Sequence, residues 1–460
     1  MATFDSLPVH PDIVRSLKDN NITELSPVQS ATLPVSLESR DVMAQAQTGS
    51  GKTLAFAIPC IHAVDTSLYH PQAVILCPTR ELAEQVAEQV RMAARYIPNL
   101  KVLTLCGGQP MGPQIQSLKH GSHIVVGTPG RVMDHVQRRR LDLSGIRCRV
   151  LDEADRMLDM GFEEDLSVIF SAVPANVQTL LMSATYTDKV AGIAQTYLKQ
   201  AEHIDVTSEQ SHTPDIEQVA YETLSHTKMQ TLKAVLTHYQ PASAIVFCNT
   251  RRQVAEVVDE LITEGFSADG LQGDMEQQAR TDVLMRFASD ALNVLVATDV
   301  AARGLDIEDV ACVVNFSVSE EPEAHVHRIG RTARAGKQGI AVTLLTPEDV
   351  VHWKKITERA SSPIPERGAQ ALRFHKNRIV QPEYDCIVLQ AGKKQKLRPG
   401  DLVGALTKDA DVPGEDIGNI AVQSSQSYVA VKLRSVKRAM RLFREGKIKG
   451  KRVRAKRLSS

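Results

Sequence analysis

The chain has no long apolar run and no paired cysteine motif, and each absence excludes a class of protein. No stretch approaches the roughly 20 apolar residues that a membrane-spanning helix needs, so no membrane protein is expected. The first residues lack a basic segment followed by an apolar one, so no secretory signal is expected. The seven cysteines include no Cys-x-x-Cys and often lie in apolar runs. We therefore expect reduced core cysteines in a cytosolic protein without zinc or disulfides.

The chain also has no formal net charge, but its basic and acidic residues are distributed unevenly along the sequence. Residues 381–460 carry 18 lysines and arginines against 8 acidic residues, or +10, so the preceding residues carry −10. An asymmetry of this size indicates a nucleic-acid-binding tail on a less basic body. At 460 residues the chain is too long for one core, and its 43% hydrophobic content is that of globular protein.

A glycine-rich run that ends in lysine and threonine lies between a strand-like and a helix-like segment. The run is Ala46, Gln47, Thr48, Gly49, Ser50, Gly51, Lys52 and Thr53. Glycines let the backbone turn its N–H groups toward phosphate oxygens, and the helix N-terminus adds partial positive charge. Lys52 can reach the β and γ phosphates, and the Thr53 hydroxyl can ligate magnesium. The run predicts a nucleoside triphosphate site rather than a glycine turn without a ligand.

Short runs of Val, Ile and Leu alternate with helical stretches, which predicts parallel sheets covered on both faces. The runs lie at 42–46, 73–77, 102–105, 124–126, 149–151, 179–182, 244–248, 294–297, 313–316 and 340–345. Polar motifs follow most of them, and parallel strands bring such motifs to one edge of a sheet. Only the first half has a phosphate loop. We therefore predict an α/β protein with similar domains at 1–206 and 215–360, and linkers at 207–214 and 360–368.

Residues 383–460 alternate differently, in the order β-α-β-β-α-β that is typical of RNA-recognition modules. The predicted strands are 386–389, 417–422, 428–431 and 451–457, and the predicted helices 401–406 and 436–445. Lysine and arginine are dense after residue 430, which suits phosphate contacts. Tyr428 is one of few aromatics, so stacking of bases on a strand should be minor. The alternative interpretation of this region is a solvated basic face.

Two further motifs fit phosphoryl transfer. Asp152 ends a buried strand beside the phosphate loop, where a carboxylate could hold magnesium, and Glu153 could orient or deprotonate the attacking water. The alternative is an acidic N-cap of the next helix. Positive charge on the γ-phosphate often comes from an arginine across an interface, and residues 327–336 are dense in arginine. The alternative there is a surface basic run.

These motifs, in order and spacing, resemble those of the DEAD-box RNA helicases over roughly residues 1–360. The matching segments are Gln29, 46–53, 78–83, 107–108, 128–131, 152–155, 183–185, 246–250, Gln277 with Arg280, 297–306 and 327–336. The resemblance implies two RecA-like domains that close on ATP and Mg²⁺, bend single-stranded RNA and separate short duplexes. Two positions depart from the family pattern: Ile22 replaces an aromatic that stacks on adenine, and Gln272 replaces a histidine.

The resemblance also implies roles for single residues. Gln29 would read adenine with Phe4 behind it, and Asp306 would approach the ribose. Lys52 and Glu153 would be catalytic, together with Arg331 and Arg334 as arginine fingers. Ser183 and Thr185 would couple hydrolysis to RNA. The implied RNA path is Arg80, Gly108, Thr128, Arg131 and Thr250.

The tail is similar to the C-terminal domain of one bacterial branch of the family, which implies that it grips a hairpin of 23S ribosomal RNA. The implied RNA-binding residues of the tail are Lys393, Lys394, Arg398, Lys447, Lys449 and Lys451. We therefore expect an ATP-dependent RNA helicase of large-subunit assembly, acting as a monomer or weak dimer. A general helicase of mRNA or cold stress, and an ATP-gated RNA clamp, remain the alternatives.

Overall fold

The structure is a computed structural model that describes residues 2–46, 49–206, 216–302, 307, 309–333, 338–360, 362–450 and 452–458. The chain divides into two compact units. The first contains one parallel sheet with its helices, and the second contains another parallel sheet together with the C-terminal domain. Among the described residues, no helix combines the length and the apolar character needed to cross a membrane.

The first unit is built on a seven-stranded parallel sheet with the order β3-β4-β2-β5-β6-β1-β7. Its strands are β1 Val42–Gln45, β2 Ala73–Leu76, β3 Val102–Leu105, β4 Ile124–Gly127, β5 Cys148–Leu151, β6 Gln178–Ser183 and β7 Glu202–Asp205. Its helices are α1 Pro11–Asp19, α2 Pro27–Ser36, α3 Lys52–His62, α4 Arg80–Ala93, α5 Met111–Lys119, α6 Pro129–Gln137, α7 Ala154–Asp159, α8 Glu163–Ser171 and α9 Asp188–Tyr197.

Strand side chains alternate between two apolar cores, one on each face of this sheet. In β2, Ala73 and Ile75 belong to one core, and Val74 and Leu76 to the other. A strand points successive side chains to opposite faces, so a strand buried on both faces must be apolar throughout. This is why the apolar runs of the sequence predict the strands of the sheet.

The second unit begins with a similar seven-stranded parallel sheet of order β10-β11-β9-β12-β13-β8-β14. Its strands are β8 Ile216–Glu222, β9 Ala244–Phe247, β10 Ala268–Leu271, β11 Val294–Ala297, β12 Cys312–Asn315, β13 Gly339–Leu345 and β14 Glu366–Gly368. Its helices are α10 Lys228–Tyr239, α11 Arg251–Glu264, α12 Gln277–Ala288, α13 Asp299–Ala302, α14 Pro322–Ile329 and α15 Val350–Arg359. The predicted first linker at 207–214 lies outside the described residues.

The predicted second linker, at 360–368, is wrong in its last residues. Glu366–Gly368 form β14, which pairs in parallel with β8 at the edge of the second sheet. The following residues pack against the residues after helix α11: Phe374 stacks on Phe266 with ring centroids 6.2 Å apart. Gln381 Nε2 donates a hydrogen bond of 3.0 Å to the Gly265 carbonyl. These contacts, which depend on residues distant in sequence, hold the segment against the second sheet.

The C-terminal domain has the predicted order β-α-β-β-α-β. Its elements are β15 Tyr384–Leu389, α16 Pro399–Asp409, β16 Ile417–Val422, β17 Ser427–Lys432, α17 Val436–Glu445 and β18 Ala455–Arg457, in an antiparallel sheet of order β16-β17-β15-β18. Helix α17 buries Ala439, Met440 and Phe443 against one face of the sheet, while its charged residues face outward. The period-3.6 spacing of those apolar residues explains why the helix was predicted with its observed bounds.

The other face of this small sheet lies against α12 of the second parallel sheet. Cys386, Val388 and Tyr428 share an apolar cluster with Ala291, and Met285 of α12 packs against it. Cys386, Val388 and Tyr428, which face away from α16 and α17, are therefore covered. The C-terminal domain presents its edges and its helices, rather than this part of the sheet, as exposed surface.

Candidate nucleotide site and RNA-binding surfaces

The motifs of the first unit line one edge of its sheet in two groups. Strands β5, β6 and β1 are neighbours: Asp152 follows β5, Ser183 ends β6 and the phosphate loop follows β1. Strands β3, β4 and β2 are also neighbours, and they end just before Gly108, Thr128 and Arg80. The topology therefore gathers the predicted nucleotide residues in one half of the edge and the predicted RNA residues in the other.

The phosphate loop leads directly into helix α3, which begins at Lys52. Gly51 has φ +92°, a left-handed backbone that favours glycine, and a Cβ there would lie 2.7 Å from Gln29 Nε2 and would displace that side chain. Lys52 is 6% exposed, and its Nζ donates a hydrogen bond of 2.7 Å to the Ala46 carbonyl. The Lys52 ammonium group therefore lies inside the phosphate loop, where it would also meet the phosphate oxygens of a bound nucleotide. Gln47 and Thr48 lie outside the described residues.

Gln29 connects helix α2 to the phosphate loop. Its Oε1 accepts a hydrogen bond of 2.9 Å from the Ser26 backbone N–H, and its Nε2 donates one of 3.0 Å to the Gly51 carbonyl. Phe4 is 1% exposed and belongs to the first core, while Ile22 packs against that core. The contact with Gly51 places Gln29 beside the nucleotide site. Recognition of adenine by Gln29 stays a prediction.

Two adjacent carboxylates, Asp152 and Glu153, follow β5 and are both nearly buried. Burial and the neighbouring Glu153 raise the pKa of Asp152 to about 7, against the lowering effect of Lys52. Glu153 has a left-handed backbone, with φ 54° and ψ 52°, a conformation that non-glycine residues adopt at a cost and often at functional sites. Its Oε2 accepts a hydrogen bond of 2.6 Å from Arg156 Nη1. Arg156 was not predicted as a site residue.

Asp155 joins the end of β5 to the end of β6. Its Oδ2 accepts hydrogen bonds from the backbone N–H groups of Ala184 and Thr185, at 3.2 and 3.0 Å, and from Thr185 Oγ1 at 2.8 Å. Ser183 Oγ donates a hydrogen bond of 2.7 Å to the Thr185 carbonyl. Thr185 is therefore bound directly to the helix turn that carries Glu153, and Ser183 is linked to that turn through the Thr185 carbonyl.

Arg80 and Gly108 touch in the RNA half of the edge. Gly108 has φ +69°, and any Cβ there would collide with the guanidinium of Arg80. Glycine suits this left-handed backbone, and a side chain there would displace the Arg80 guanidinium. The family resemblance implies that both residues lie on the RNA path, and that role stays a prediction.

Arg131 is held by helix α5. Its Nη1 donates hydrogen bonds to the Gln109 carbonyl at 3.2 Å and to Gln114 Oε1 at 3.1 Å. Gln114 is buried and also bonds His135, while Thr128 is the N-cap residue of α6. Sequence reasoning missed Gln114, because a lone glutamine on an amphipathic helix carries no signal without its tertiary partners.

Around the second parallel sheet, two of the predicted site residues lie among the described residues, namely Thr250 and Arg331. Thr250 caps α11, and its Oγ1 accepts a hydrogen bond of 3.2 Å from the Gln253 N–H. Arg331 is 4% exposed. Asp306 and Arg334 lie outside the described residues. The roles of all four stay predictions.

Arg328 is a buried structural arginine within the arginine-rich motif. It is 1% exposed and donates hydrogen bonds to Asp299 Oδ1 and Oδ2, both at 2.7 Å, and to the Ser317 carbonyl at 2.6 Å. These bonds tie α14 to the start of α13. The density of arginine in this motif did not distinguish Arg328, which is buried and hydrogen-bonded, from Arg331 and Arg334, the predicted arginine fingers.

The described tail residues that were predicted to bind RNA lie in two segments that contact each other. Lys449 Nζ forms an ion pair of 2.8 Å with Asp401 and donates a hydrogen bond of 3.0 Å to the Lys396 carbonyl. The turn that carries Lys447 therefore lies beside the turn and helix start that carry exposed residues Lys393, Lys394 and Arg398. Lys451 lies outside the described residues. Two predicted segments that are about 50 residues apart in sequence thus form one basic surface.

A phosphate loop, paired carboxylates and a second similar sheet define a nucleoside triphosphatase with tandem RecA-like domains and an appended RNA-binding module. Three family models match: DEAD/DEAH box helicase over 26–193, helicase conserved C-terminal domain over 227–336, and DbpA RNA binding domain over 386–457. The chain belongs to the DEAD-box family of ATP-dependent RNA helicases.

Individual relatives agree with this assignment. The chain is 44% identical to the ATP-dependent RNA helicase DbpA of Escherichia coli, over 99% of both chains. It is 42% identical to the helicase CshA of Geobacillus kaustophilus over 78% of this chain and 77% of that one. Among solved structures, S. cerevisiae Dbp5 bound to RNA and ADP BeF3 matches with a TM-score of 0.73 and 27% identity, over 80% of this chain and 96% of that chain. The match to DbpA extends through the tail, whereas the CshA match leaves about a fifth of the chain uncovered.

Proposed function

We propose that this helicase unwinds short RNA duplexes in large-subunit ribosome assembly, and that its C-terminal domain directs it to 23S ribosomal RNA. The observation that carries the proposal is the single basic surface formed by two separate segments of a DbpA-type domain. The similarity to DbpA over the whole chain supports it. The buried, free cysteines suit action in a reducing cytosol.

The nucleotide half of the first unit is suited to ATP with Mg²⁺. Asp152 and Thr53 would hold the ion, because a buried carboxylate beside another carboxylate is a ligand that this hard cation prefers. The ion would neutralise charge on the phosphate oxygens. Lys52 would contact the β and γ phosphates, and Glu153 would orient the attacking water and accept its proton.

The second unit would complete the reaction through its arginine-rich motif. Arg331 and Arg334 would stabilise the charge that develops on the transferred phosphoryl group. Thr185, which is bound to Asp155, and Ser183, which is bound to the Thr185 carbonyl, would pass the state of the nucleotide to the RNA half of the edge. Arg80, Gly108, Thr128, Arg131 and Thr250 would contact the RNA backbone there and in the second unit.

Recognition by the tail would use phosphate contacts more than base stacking. Tyr428 is 2% exposed and lies under α12, so it is not a stacking platform. Exposed lysines such as Lys394 and Lys447 fit the phosphates of a folded RNA, and the shape of the basic surface would select the hairpin.

The proposed targeting to ribosomal RNA is tested by measuring ATPase activity with ribosomal RNA, transfer RNA and homopolymer. The variant replaces Lys394, Arg398 and Lys447 by Ala in the full chain, and the matched control replaces the exposed Lys354 and Lys355 of α15. We expect the variant to keep ATPase activity with generic RNA at high concentration and to lose its preference for ribosomal RNA. Retained preference would place target choice in the two helicase domains, as a general helicase of mRNA or cold stress requires.

A second experiment separates unwinding from clamping. Strand displacement on a short duplex should require ATP and should stop in Glu153→Gln, which keeps the shape of the side chain without its basicity. A protein that hydrolyses ATP and holds RNA but displaces no strand would be an ATP-gated clamp.

A further inference from the structure

The catalytic carboxylate of the proposed mechanism has a buried cationic partner. Arg156 Nη1 donates a hydrogen bond of 2.6 Å to Glu153 Oε2, and the two side chains are 3% and 6% exposed. A charge-assisted hydrogen bond in a site with little water is strong and directional. A side chain held in this way has little rotational freedom.

The backbone at Glu153 restricts this carboxylate further. Glu153 is the residue before α7 and has φ 54°, so its Cα–Cβ bond points in a direction that ordinary helical or extended backbone would not give. Left-handed backbone at a non-glycine residue persists only where the surroundings fix it. Arg156, one turn along α7, holds the far end of the same side chain.

The turn that carries both residues is itself anchored. Asp155, between them, accepts three hydrogen bonds from Ala184 and Thr185 at the end of β6. Arg156 therefore extends toward Glu153 from a turn that is held in place. Its hydrogen bond goes to Glu153 Oε2, so Glu153 Oε1 can face a water while the ion pair stays intact.

We propose that Arg156 is a positioning residue for hydrolysis, which holds the Glu153 carboxylate at the angle that orients the attacking water. The inference rests on the proposed role of Glu153. Arg156 would not touch ATP or RNA, and its effect would pass entirely through Glu153. Displacement of a catalytic group by about 1 Å can cost on the order of 10²-fold in rate, which sets the scale of the expected effect.

The test uses the full chain with Arg156→Met, Arg156→Gln and Arg156→Lys, and measures RNA-stimulated kcat, KM for ATP and the thermal midpoint. We expect kcat of Arg156→Met to fall on the order of 10²-fold while KM for ATP stays unchanged. Arg156→Lys should recover part of the rate, because it keeps the charge but loses the planar guanidinium. Arg156→Gln should recover less, because it donates a neutral hydrogen bond. Equal rates for Lys and Gln, or a wild-type kcat in a folded Met variant, would overturn the proposal.

A matched control separates positioning from loss of a buried arginine in general. Arg149, on β5 of the same unit, is also buried and bonds Thr179 Oγ1 at 2.9 Å and the Tyr197 carbonyl at 2.8 Å. Arg149→Met should lower the thermal midpoint while the folded protein keeps its kcat. An equal fall in kcat for Arg149→Met and Arg156→Met would make Arg156 a structural residue only.

Combination with Glu153→Gln distinguishes this inference from the proposed function. If Arg156 acts through Glu153, then adding Arg156→Met to Glu153→Gln should slow turnover no further, because the two effects share one group. The double variant also removes both charges together, so it leaves no unpaired buried ion. If kcat of the double variant falls by the product of the two single-variant fold-decreases, then Arg156 does not act through Glu153 and the positioning role is contradicted. Full turnover in Glu153→Gln alone would instead refute the assignment of Glu153.

Discussion

The hydroxyl of Tyr428 in β17 donates a hydrogen bond of 2.8 Å to Asp282 Oδ1 in α12, and so joins the C-terminal domain to the second parallel sheet. Gln278 Nε2, one turn earlier in α12, donates a hydrogen bond of 3.0 Å to the same hydroxyl. Burial and the Asp282 carboxylate raise the pKa of Tyr428 well above its usual value. The hydroxyl therefore stays protonated and available as a donor. The strand surface that carries it serves as a domain contact.

Removal of this hydroxyl should loosen the contact. Tyr428→Phe keeps the ring in its apolar cluster but deletes a buried donor, so we expect a loss of about 1 kcal/mol in the free energy of unfolding. Urea denaturation and hydrogen exchange of α12 amides would measure it. Tyr384→Phe, on β15 of the same sheet, is the control. Equal stability of the two variants would show that the Tyr428 hydroxyl contributes nothing to docking.

The order of the C-terminal elements could be predicted from the sequence, but their docking could not. Strand β16 and helix α17 were predicted with their observed bounds, because alternation and period-3.6 spacing are local properties of the chain. Docking depends on Tyr428 meeting Asp282, which is 146 residues away in sequence. The edge strand β14 was missed for a related reason: its three residues carry no apolar pattern and become a strand only by pairing with β8.

Lys52→Ala should abolish nucleotide binding as well as hydrolysis. Lys52 is buried at the start of α3 with its ammonium 2.7 Å from the Ala46 carbonyl, inside the phosphate loop. Its loss removes the cation that would neutralise the β and γ phosphates. ATP affinity and ATPase rate are the measurements, with Lys354→Ala as the control. Normal ATPase activity in Lys52→Ala is the result that would contradict the site.

The strand-end residues of the site were predictable, whereas their side-chain partners were not. Asp152, Thr128 and Arg80 follow strands whose apolar runs are visible in the sequence, and parallel topology brings them to one edge. Arg156 and Gln114 act through hydrogen bonds whose existence depends on rotamers and on the packing of neighbouring elements. The i,i+3 spacing of Glu153 and Arg156 permits their contact without establishing it, and the spacing of Gln114 and Arg131 does not indicate their bond.

Gln114→Leu should weaken RNA binding by the first unit without changing ATP binding. Gln114 Oε1 accepts hydrogen bonds from Arg131 Nη1 at 3.1 Å and from His135 Nε2 at 3.0 Å, so leucine would release Arg131 from its orientation. The RNA concentration for half-maximal ATPase should rise while KM for ATP is constant. Some loss of stability is also expected, because buried donors lose their acceptor, by roughly 1–3 kcal/mol.

Gln116→Leu, on the exposed side of the same helix α5, is the control for that experiment. It changes the same residue type without touching Arg131. If a folded Gln114→Leu protein needs the same RNA concentration for half-maximal ATPase activity, then Arg131 in this orientation does not contribute to RNA binding.

Lysine replacements in the tail should flatten the salt dependence of RNA binding. Each phosphate neutralised on single-stranded RNA adds about 0.7 to the slope of log affinity against log salt. Lys394→Ala with Lys447→Ala should therefore reduce the slope by about 0.7 for each lysine that contacts phosphate. Lys449 is excluded from this pair because its ion pair with Asp401 also holds the domain together. Filter binding between low and moderate salt would measure the slope, and an unchanged slope would mean that the RNA contacts lie elsewhere.

Acid should destabilise the C-terminal domain through Asp416. Hydrogen bonds from Arg434 Nε, at 3.0 and 2.9 Å, and from Ser435 Oγ, at 2.6 Å, lower the pKa of Asp416 to about 2. An aspartate in the unfolded chain titrates near 3.9, so the folded pKa is the lower one. The stabilisation is therefore fully present above about pH 4 and is lost as the pH falls toward 2.

Asp416→Asn should accordingly be less stable than the natural chain near neutral pH, and the difference should shrink as the pH falls from 5 to 2.5. Asparagine cannot carry the charge that binds Arg434, so its contribution does not titrate. Hydrogen exchange of the β16 and β17 amides reports on this domain separately from the two larger sheets. Asp411→Asn is the control, because Asp411 is fully exposed and 3.7 Å from Arg438 in its ion pair. A stability difference that stays constant over this pH range would show that the charge of Asp416 does not stabilise the fold.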